Sequence, residues 1–353
     1  MRMLRIPTLI TIAGDNLKRF APLLALPLLV ASTAHAQSSV TMYGIVDTFV
    51  QYVNTGNGYT AAMNSSGQYG TRIGFRGSED VGGGNKIDFT LENGFNSNDG
   101  SFATPGSMFN RQAWIGASGN WGSVRAGRQN SLLFLNEGRL DAFGGATQAS
   151  GIDNLSVYTY RTSNTVSYFS PKFAGFQASG YLGLGDAGGF RSGGSNYQFA
   201  LTYDNRAISA VYTTQGVRNA TATSTERSTF AGGSYDFGAI RLYAGYASAN
   251  WDDLRIDIRS YEVSGRWTFS PFAYVALGYT FLQDRNGSND AAQYSAMFNY
   301  SLSRRTSIYT ALSWLDNRGT AQYRLAGAAN AGLALAYPGA AAKGVQIGIV
   351  QAF

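Results

Sequence analysis

The sequence has no cysteine and a single histidine, His35, in 353 residues. Without thiols it can form no disulfide framework, no thiolate metal site and no cysteine nucleophile. His35 falls in an N-terminal segment read below as a removable leader. The rest of the chain therefore has no histidine, which excludes Ser-His-Asp triads, histidine acid/base chemistry and imidazole metal sites. Charge is scarce too: Asp, Glu, Lys and Arg make up 14% of the chain, against ~25% in an ordinary soluble domain. Beyond the N-terminal region no apolar run approaches the ~18 residues of a spanning helix. What the chain holds instead is glycine, tyrosine and phenylalanine, at 44, 22 and 21 residues. Aromatics at 14% are too many for a disordered chain.

Residues 1–36 read as a secretory signal peptide. Arg2, Arg5, Lys18 and Arg19 form its basic part, and Phe20 to Ala31 its apolar part. Ala34-His35-Ala36 supplies a small-residue cleavage site. As a membrane helix the apolar part is too short and is broken by Pro22 and Pro27. Residues 37–353 are then expected to form one domain outside the cytoplasm. Four basic residues against Asp15 put +3 of the formal +6 in the leader, leaving +3 for the remainder.

That remainder alternates with period two, the pattern of strands with one apolar face. Tyr294, Ala296, Phe298, Tyr300 and Leu302 oppose Ser295, Met297, Asn299 and Ser301. Tyr261, Val263, Gly265, Trp267 and Phe269 oppose Glu262, Ser264, Arg266 and Thr268. Sixteen such segments are predicted, near 40–53, 70–77, 85–93, 109–117, 121–128, 163–169, 174–184, 196–204, 206–215, 227–236, 239–249, 258–269, 272–283, 292–302, 305–315 and 343–353. The first is the least regular, because Tyr43, Ile45 and Phe49 share a face with Asp47.

The connections alternate in length. Short turns such as Asp204-Asn205-Arg206 and Asp236-Phe237-Gly238 alternate with long polar or glycine-rich links, including 54–69, 94–108, 129–162 and 316–342. Short and long connections in rotation are the pattern of an up-and-down outer-membrane barrel, with tight periplasmic turns and longer external loops. Backbone in lipid must satisfy its hydrogen bonds internally, and a closed barrel does so with strands. A polar interior accounts for a mean hydropathy of only −0.14. The expected fold is all-β: a transmembrane antiparallel barrel of sixteen strands, with both termini periplasmic.

Several motifs then occur in order. Ser38-Ser-Val-Thr-Met-Tyr-Gly-Ile-Val-Asp47 opens the chain after the leader. Thr71-Arg-Ile-Gly-Phe-Arg-Gly-Ser-Glu-Asp-Val-Gly-Gly-Gly84 runs on to Leu91-Glu-Asn-Gly-Phe95. Phe109-Asn-Arg-Gln-Ala-Trp-Ile-Gly116, Gly122-Ser-Val-Arg-Ala-Gly-Arg-Gln129 and Tyr300-Ser-Leu-Ser-Arg-Arg-Thr-Ser-Ile-Tyr309 follow, with Phe353 at the end. Together these resemble the trimeric Gram-negative outer-membrane porins, in their β-proteobacterial branch, over the whole chain after the leader. One departure is the last strand, where Val350 and Ala352 replace the family's basic residues.

The resemblance implies a homotrimer in contact with outer-membrane lipid and lipopolysaccharide, and delivery by the barrel assembly machinery through a terminal aromatic, here Phe353. It implies a third loop folded into the lumen, here 129–162 with Glu137, Asp141 and Asp153, facing an arginine wall. Strand parity supplies candidates for that wall. Arg72 shares a face with Gly74 and Arg76, opposite Ile73 and Phe75. Arg111 is expected inward because it falls opposite Trp114 and Gly116, and Arg161 because it is in phase with Ser163, Thr165 and Ser167. Arg76 and Arg125 are further lumen candidates. Arg128 has outward parity near an external strand end, where a lone charge is costly against lipid, and is read as a subunit-interface residue.

Inward parity holds Arg72, Arg76, Lys86, Arg111, Arg125, Arg161, Arg241 and Arg266 against Asp47, Asp88, Glu92 and Glu262. A positive surplus raises the local concentration of anions. The expected function is a passive, weakly anion-selective diffusion channel for small hydrophilic solutes and ions. A solute-specific channel of the same fold is the alternative. A barrel enzyme is disfavoured by the missing histidine. No cofactor, metal or nucleic-acid partner is expected. Gly183-Leu-Gly-Asp-Ala-Gly188 matches a dinucleotide fingerprint only in letters, because no helix follows it. Glu79-Asp80 sits beside three glycines in a short turn, where turn chemistry accounts for it.

Overall fold

A computed structural model describes residues 39–145 and 147–353. The segment 1–36, expected to be a signal peptide, lies outside the described residues. The strands are β1 (Ser39–Asn54), β2 (Tyr59–Ser65), β3 (Arg72–Gly82), β4 (Asn85–Gly94), β5 (Gln112–Gly119) and β6 (Gly122–Asn130). After a long loop come β7 (Arg161–Phe169), β8 (Phe176–Gly183), β9 (Asn196–Asp204), β10 (Ile208–Arg218), β11 (Thr225–Asp236) and β12 (Ile240–Trp251). The wall is completed by β13 (Ile256–Ser270), β14 (Ala273–Asp284), β15 (Ala291–Ser301), β16 (Thr306–Asn317) and β17 (Ala342–Ala352).

Apart from β2 and β3, neighbours in sequence pair antiparallel, and β17 returns to β1 with Asn54 opposite Lys343 and Ile45 opposite Ala352. The sheet is closed, so no edge is left unpaired in lipid. The seventeen segments form sixteen barrel strands, because β2 and β3 are two halves of one. The outer half of β1 pairs with β2, from Asn54 opposite Tyr59 to Thr48 opposite Ser65. Its inner half pairs with β3, from Ile45 opposite Arg72 to Ser39 opposite Ser78. The segment expected at 70–77 is therefore only the second half, and the expected link 54–69 contains a strand. Residues 66–71 leave the wall between the two halves, with Ser66 in the left-handed region at φ 68°.

Alternation places side chains as strand geometry requires. In β9 Asn196, Gln198, Ala200 and Thr202 are buried, while Tyr197, Phe199 and Leu201 are exposed toward lipid. Aromatics collect beside the short turns, including Trp121, Tyr168, Phe173, Phe237, Trp267 and Phe272, as a girdle at one interface. Gly44 lies under the ring of Phe353, where a methyl group would collide with it. The two residues also exchange backbone hydrogen bonds of 3.1 Å, sealing the end of the seam.

The loop between β6 and β7 carries α1 (Leu132–Glu137), a 3-10 turn at Gly138–Leu140 and α2 (Gly151–Asn154). It folds inside the barrel. Leu133, Leu140, Ile152 and Tyr158 pack on Val211, Phe230 and Ala247 of the wall. Ala142, Phe143 and Ala149 pack among Tyr243, Met297 and Tyr309. Gln148 donates to the carbonyls of Ala311 and Gly344 at 2.9 and 3.0 Å. These contacts order the loop's backbone, whose polar groups would otherwise be stranded away from water. The loop before β17 also bends inward, and Ala328 N–H donates to the Gly67 carbonyl at 3.3 Å.

Candidate functional site

Three strands bring Arg72, Glu92 and Arg111 together. Arg72 opens β3, and Glu92 faces it from β4 with Nε–Oε2 at 3.3 Å. Arg111, just before β5, donates from Nε to Glu92 Oε1 at 2.7 Å. The Tyr43 hydroxyl donates to Glu92 Oε2 at 2.9 Å, and Arg72 Nη1 donates to the Gly70 carbonyl at 3.0 Å. Two guanidinium groups thus share one carboxylate, which holds them in place and leaves a net positive charge. Charge-assisted contacts of this kind fix geometry as well as adding energy.

Arg111 arrives by a route parity does not describe. Trp114 shares the lumen face with Arg125, whose guanidinium stands 4.5 Å from the indole centroid and 4.7 Å from that of Phe169. Regular alternation from Trp114 would therefore send Arg111 outward. β5 begins only at Gln112, however, after Phe109 in the left-handed region at φ 51°. The irregular backbone there swings Arg111 into the lumen.

Arg161 departs from expectation for a related reason. The β6–β7 register shifts, with Gly127 opposite Thr165 but Gln129 opposite Thr162. The bulge puts both Thr162 and Thr165 on the buried side, so the phase read from Thr165 and Ser167 does not reach residue 161. The Arg161 guanidinium stands over the Phe134 ring of the inner loop, 5.4 Å from its centroid. Arg128, opposite the outward Ala113, donates to the Asn110 carbonyl at 2.7 Å and the Ser163 hydroxyl at 2.8 Å. Among the described residues no carboxylate pairs with it. Arg76 stands 5.3 Å from the Tyr43 ring and, with Arg125 and Asp88, lines a lumen cavity of about 270 Å³.

The three loop acids are turned away from the lumen, contrary to the expected acidic face. Glu137 and Asp141 are 1% exposed and Asp153 is half-buried. Asp141 accepts from the N–H groups of Phe143 and Gly145 at 3.0 and 2.7 Å, closing the tip of the loop. Asp153 accepts from the Tyr158 hydroxyl at 3.3 Å. Burial pushes the Glu137 carboxyl well above the usual range, with the nearby Asp153 adding to it. Burial, reinforced by Asp141, pushes Asp153 up to about 7, and Asp141 itself is raised, chiefly by burial. Desolvation disfavours the charged carboxylate, so these groups carry less negative charge than their number implies.

What the loop shows to the lumen is backbone, aromatic and basic. A cavity of about 350 Å³ lies between Arg72, Glu92 and Arg111 on the wall and Phe134, Arg139 and Gly145 of the loop. Arg139 is also clamped by Asp204, with Nη2 at 2.8 and 2.9 Å from its two oxygens. A second cavity of about 250 Å³ is lined by Arg266, Tyr274, Asn299 and Phe143. There Arg266 Nε donates to the Ala142 carbonyl at 2.9 Å and holds the loop tip.

A closed barrel narrowed by an inner loop is a channel architecture, and residues 23–320 match the Gram-negative porin family. The chain is a Gram-negative porin. It is 32% identical to outer membrane porin protein 32 of Delftia acidovorans, over 94% of this chain and 99% of that one. It is 34% identical to an outer membrane porin protein of Bordetella pertussis over 62% of this chain and 66% of the relative. The solved structure of an anion-selective porin from Comamonas acidovorans superposes with a TM-score of 0.78, at 27% identity, over 90% of this chain and 100% of that one. The porin resides in the outer membrane of a Gram-negative bacterium, and its family consists of channels and not enzymes.

Two features of the porin escaped the sequence reading. Glu92 had inward parity, yet nothing in spacing showed that it would bridge two arginines. The departure of residues 66–71 from the wall left one trace, the two glycines of Ser66-Gly-Gln-Tyr-Gly70 between polar alternating stretches.

Proposed function

We propose that this porin is a passive diffusion channel for small hydrophilic solutes and ions that favours anions. The observation carrying this reading is the imbalance across the 350 Å³ cavity. Arg72 and Arg111 share a single carboxylate, while the loop's own acids are buried behind its backbone. A positive surface bounding a narrow aqueous gap lowers the energy of an anion there and raises that of a cation. Arg161, standing over Phe134, adds to the same side of the field. The name of the Comamonas relative, an anion-selective porin, agrees with this sign.

The same reading makes residues 1–36 a leader removed on export and the working form a homotrimer in lipid and lipopolysaccharide. Arg128 then sits at the contact between subunits, and Phe353 presents the barrel to the assembly machinery. The decisive measurement is the reversal potential of the purified protein in a planar bilayer under a potassium chloride gradient. The expected sign is that of anion preference, and a clear cation preference overturns it.

A further inference from the structure

The irregular first strand has its explanation in Asp47, whose carboxylate lies on the lumen side and is fully buried. Oδ2 accepts from the backbone N–H groups of Gln68 and Tyr69, both at 2.6 Å. Oδ1 accepts from the Tyr309 hydroxyl at 2.9 Å. The main chain of Asp47 joins in: its N–H donates to Thr71 Oγ1 at 3.0 Å, and its carbonyl accepts from Ser66 N–H at 2.9 Å. The Asp47 side chain thus satisfies two of the backbone donors that residues 66–71 expose on leaving the wall, Ser66 N–H bonds the Asp47 carbonyl, and Thr71 N–H bonds Ser66 Oγ. The result is a fixed ledge inside the barrel, between β2 and β3.

The ledge meets the tip of the inner loop. Gln68, Tyr69 and Gly144 line both the cavity of Arg72 and Arg111 and the cavity of Arg266 and Tyr274. They therefore form the partition between the two spaces. The ledge also sets the arginines. The Gly70 carbonyl accepts from Arg72, and the missing side chain of Gly70 leaves room for the Arg111 guanidinium against its backbone.

We propose that this ledge is a second constricting element of the pore, with Tyr69 as the residue that limits passage and Asp47 as its positioning residue. The inner loop narrows the lumen from one side and the ledge from the other. Solute size is then sensed between Tyr69 and the Gly144 turn, and the same backbone aims Arg72 at the passing anion. This rests on the channel reading above, but it concerns the width of the pore and not the sign of its field.

The chain contains no cysteine, so Tyr69→Cys gives a single thiol without further changes. In a planar bilayer, a charged methanethiosulfonate added to this variant should remove most of the open-channel current in steps. Complete modification, confirmed by mass, with unchanged current overturns the proposal. Asp47→Ala strands the N–H donors of Gln68 and Tyr69 and should release the ledge, raising conductance and the size of excluded sugars while lowering anion preference. Asp47→Asn should restore all three, because its amide oxygen still accepts from the two N–H groups and its nitrogen can donate to Tyr309. If Asp47→Ala does not fold, Tyr309→Phe, which removes one bond to the same carboxylate, should show a smaller change of the same sign. Folded variants with wild-type conductance and selectivity overturn the role of Asp47. A wild-type protein that forms no channel would instead remove the reading on which the proposal rests.

Discussion

On the β3–β5 side of the lumen, two arginines share one glutamate where water reaches them. On the loop side, three acids are turned toward the barrel wall and pushed toward their neutral forms. Both regions are rich in ionisable groups, and a count of residues would set one against the other. Their geometry makes them unequal. Arg72 and Arg111 border the 350 Å³ cavity, where Glu92 and the Gly70 carbonyl tether them. The acids of the loop serve its docking: Asp141 closes the tip turn, and Asp153 meets Tyr158. The difference teaches that the field in a lumen depends on which charges border its cavity, not on how many are nearby.

The contrast breaks most completely if its basic side is removed. A unit charge at 4 Å is worth about 1 kcal/mol in water and about 4 kcal/mol near a protein surface. Replacing both Arg72 and Arg111 with serine should therefore lower the anion-to-cation permeability ratio on the order of tenfold or more, read as the reversal potential under a salt gradient. Glu92→Gln sharpens the contrast instead. It removes the carboxylate that both arginines share, so anion preference should rise several-fold in the same measurement. A fall would mean that Glu92 matters more as a tether than as a charge.

The smallest effect belongs to the loop side and is read against pH. A carboxyl whose pKa is raised in the docked loop docks at no cost while protonated. The cost grows as pH rises from the ordinary carboxylate value of ~4 and is complete above about 7 for Asp153. The docked loop should therefore be firmer at acidic pH than at alkaline pH. Open-channel current noise should be lower at roughly pH 5 than at roughly pH 8, and Asp153→Asn should flatten that dependence. Noise that is independent of pH in the wild type would show that the loop acids do not bear on docking.

Alternation and the rotation of short and long connections made the barrel legible, because lipid imposes period two on every strand. Arg72, Arg76 and Arg125 could be placed for the same reason. The two misread phases share one physical origin, which is that a single irregular residue reverses every inference drawn across it. Phe109 ahead of β5 brings Arg111 inward although Trp114 is inward too. The bulge opposite Thr162 and Thr165 detaches Arg161 from its expected phase. β2 was missed because Tyr59-Thr-Ala-Ala-Met-Asn-Ser65 carries few large apolar residues. The orientation of Glu137, Asp141 and Asp153 had no signal at all, since a loop has no period.

Asp47 and Tyr309 are separated by 262 positions along the chain, and Gln148 reaches the carbonyl of Gly344 at a separation of 196. The clasp on the ledge and the clasp on the inner loop both depend on strands made last, β16 and β17. Neither clasp is complete in a partly wound sheet. Contacts of such long sequence separation carry a larger loop-closure entropy than neighbouring strand pairs do. The pairing of β17 with β1 that closes the barrel therefore also depends on the two strands that anchor both clasps.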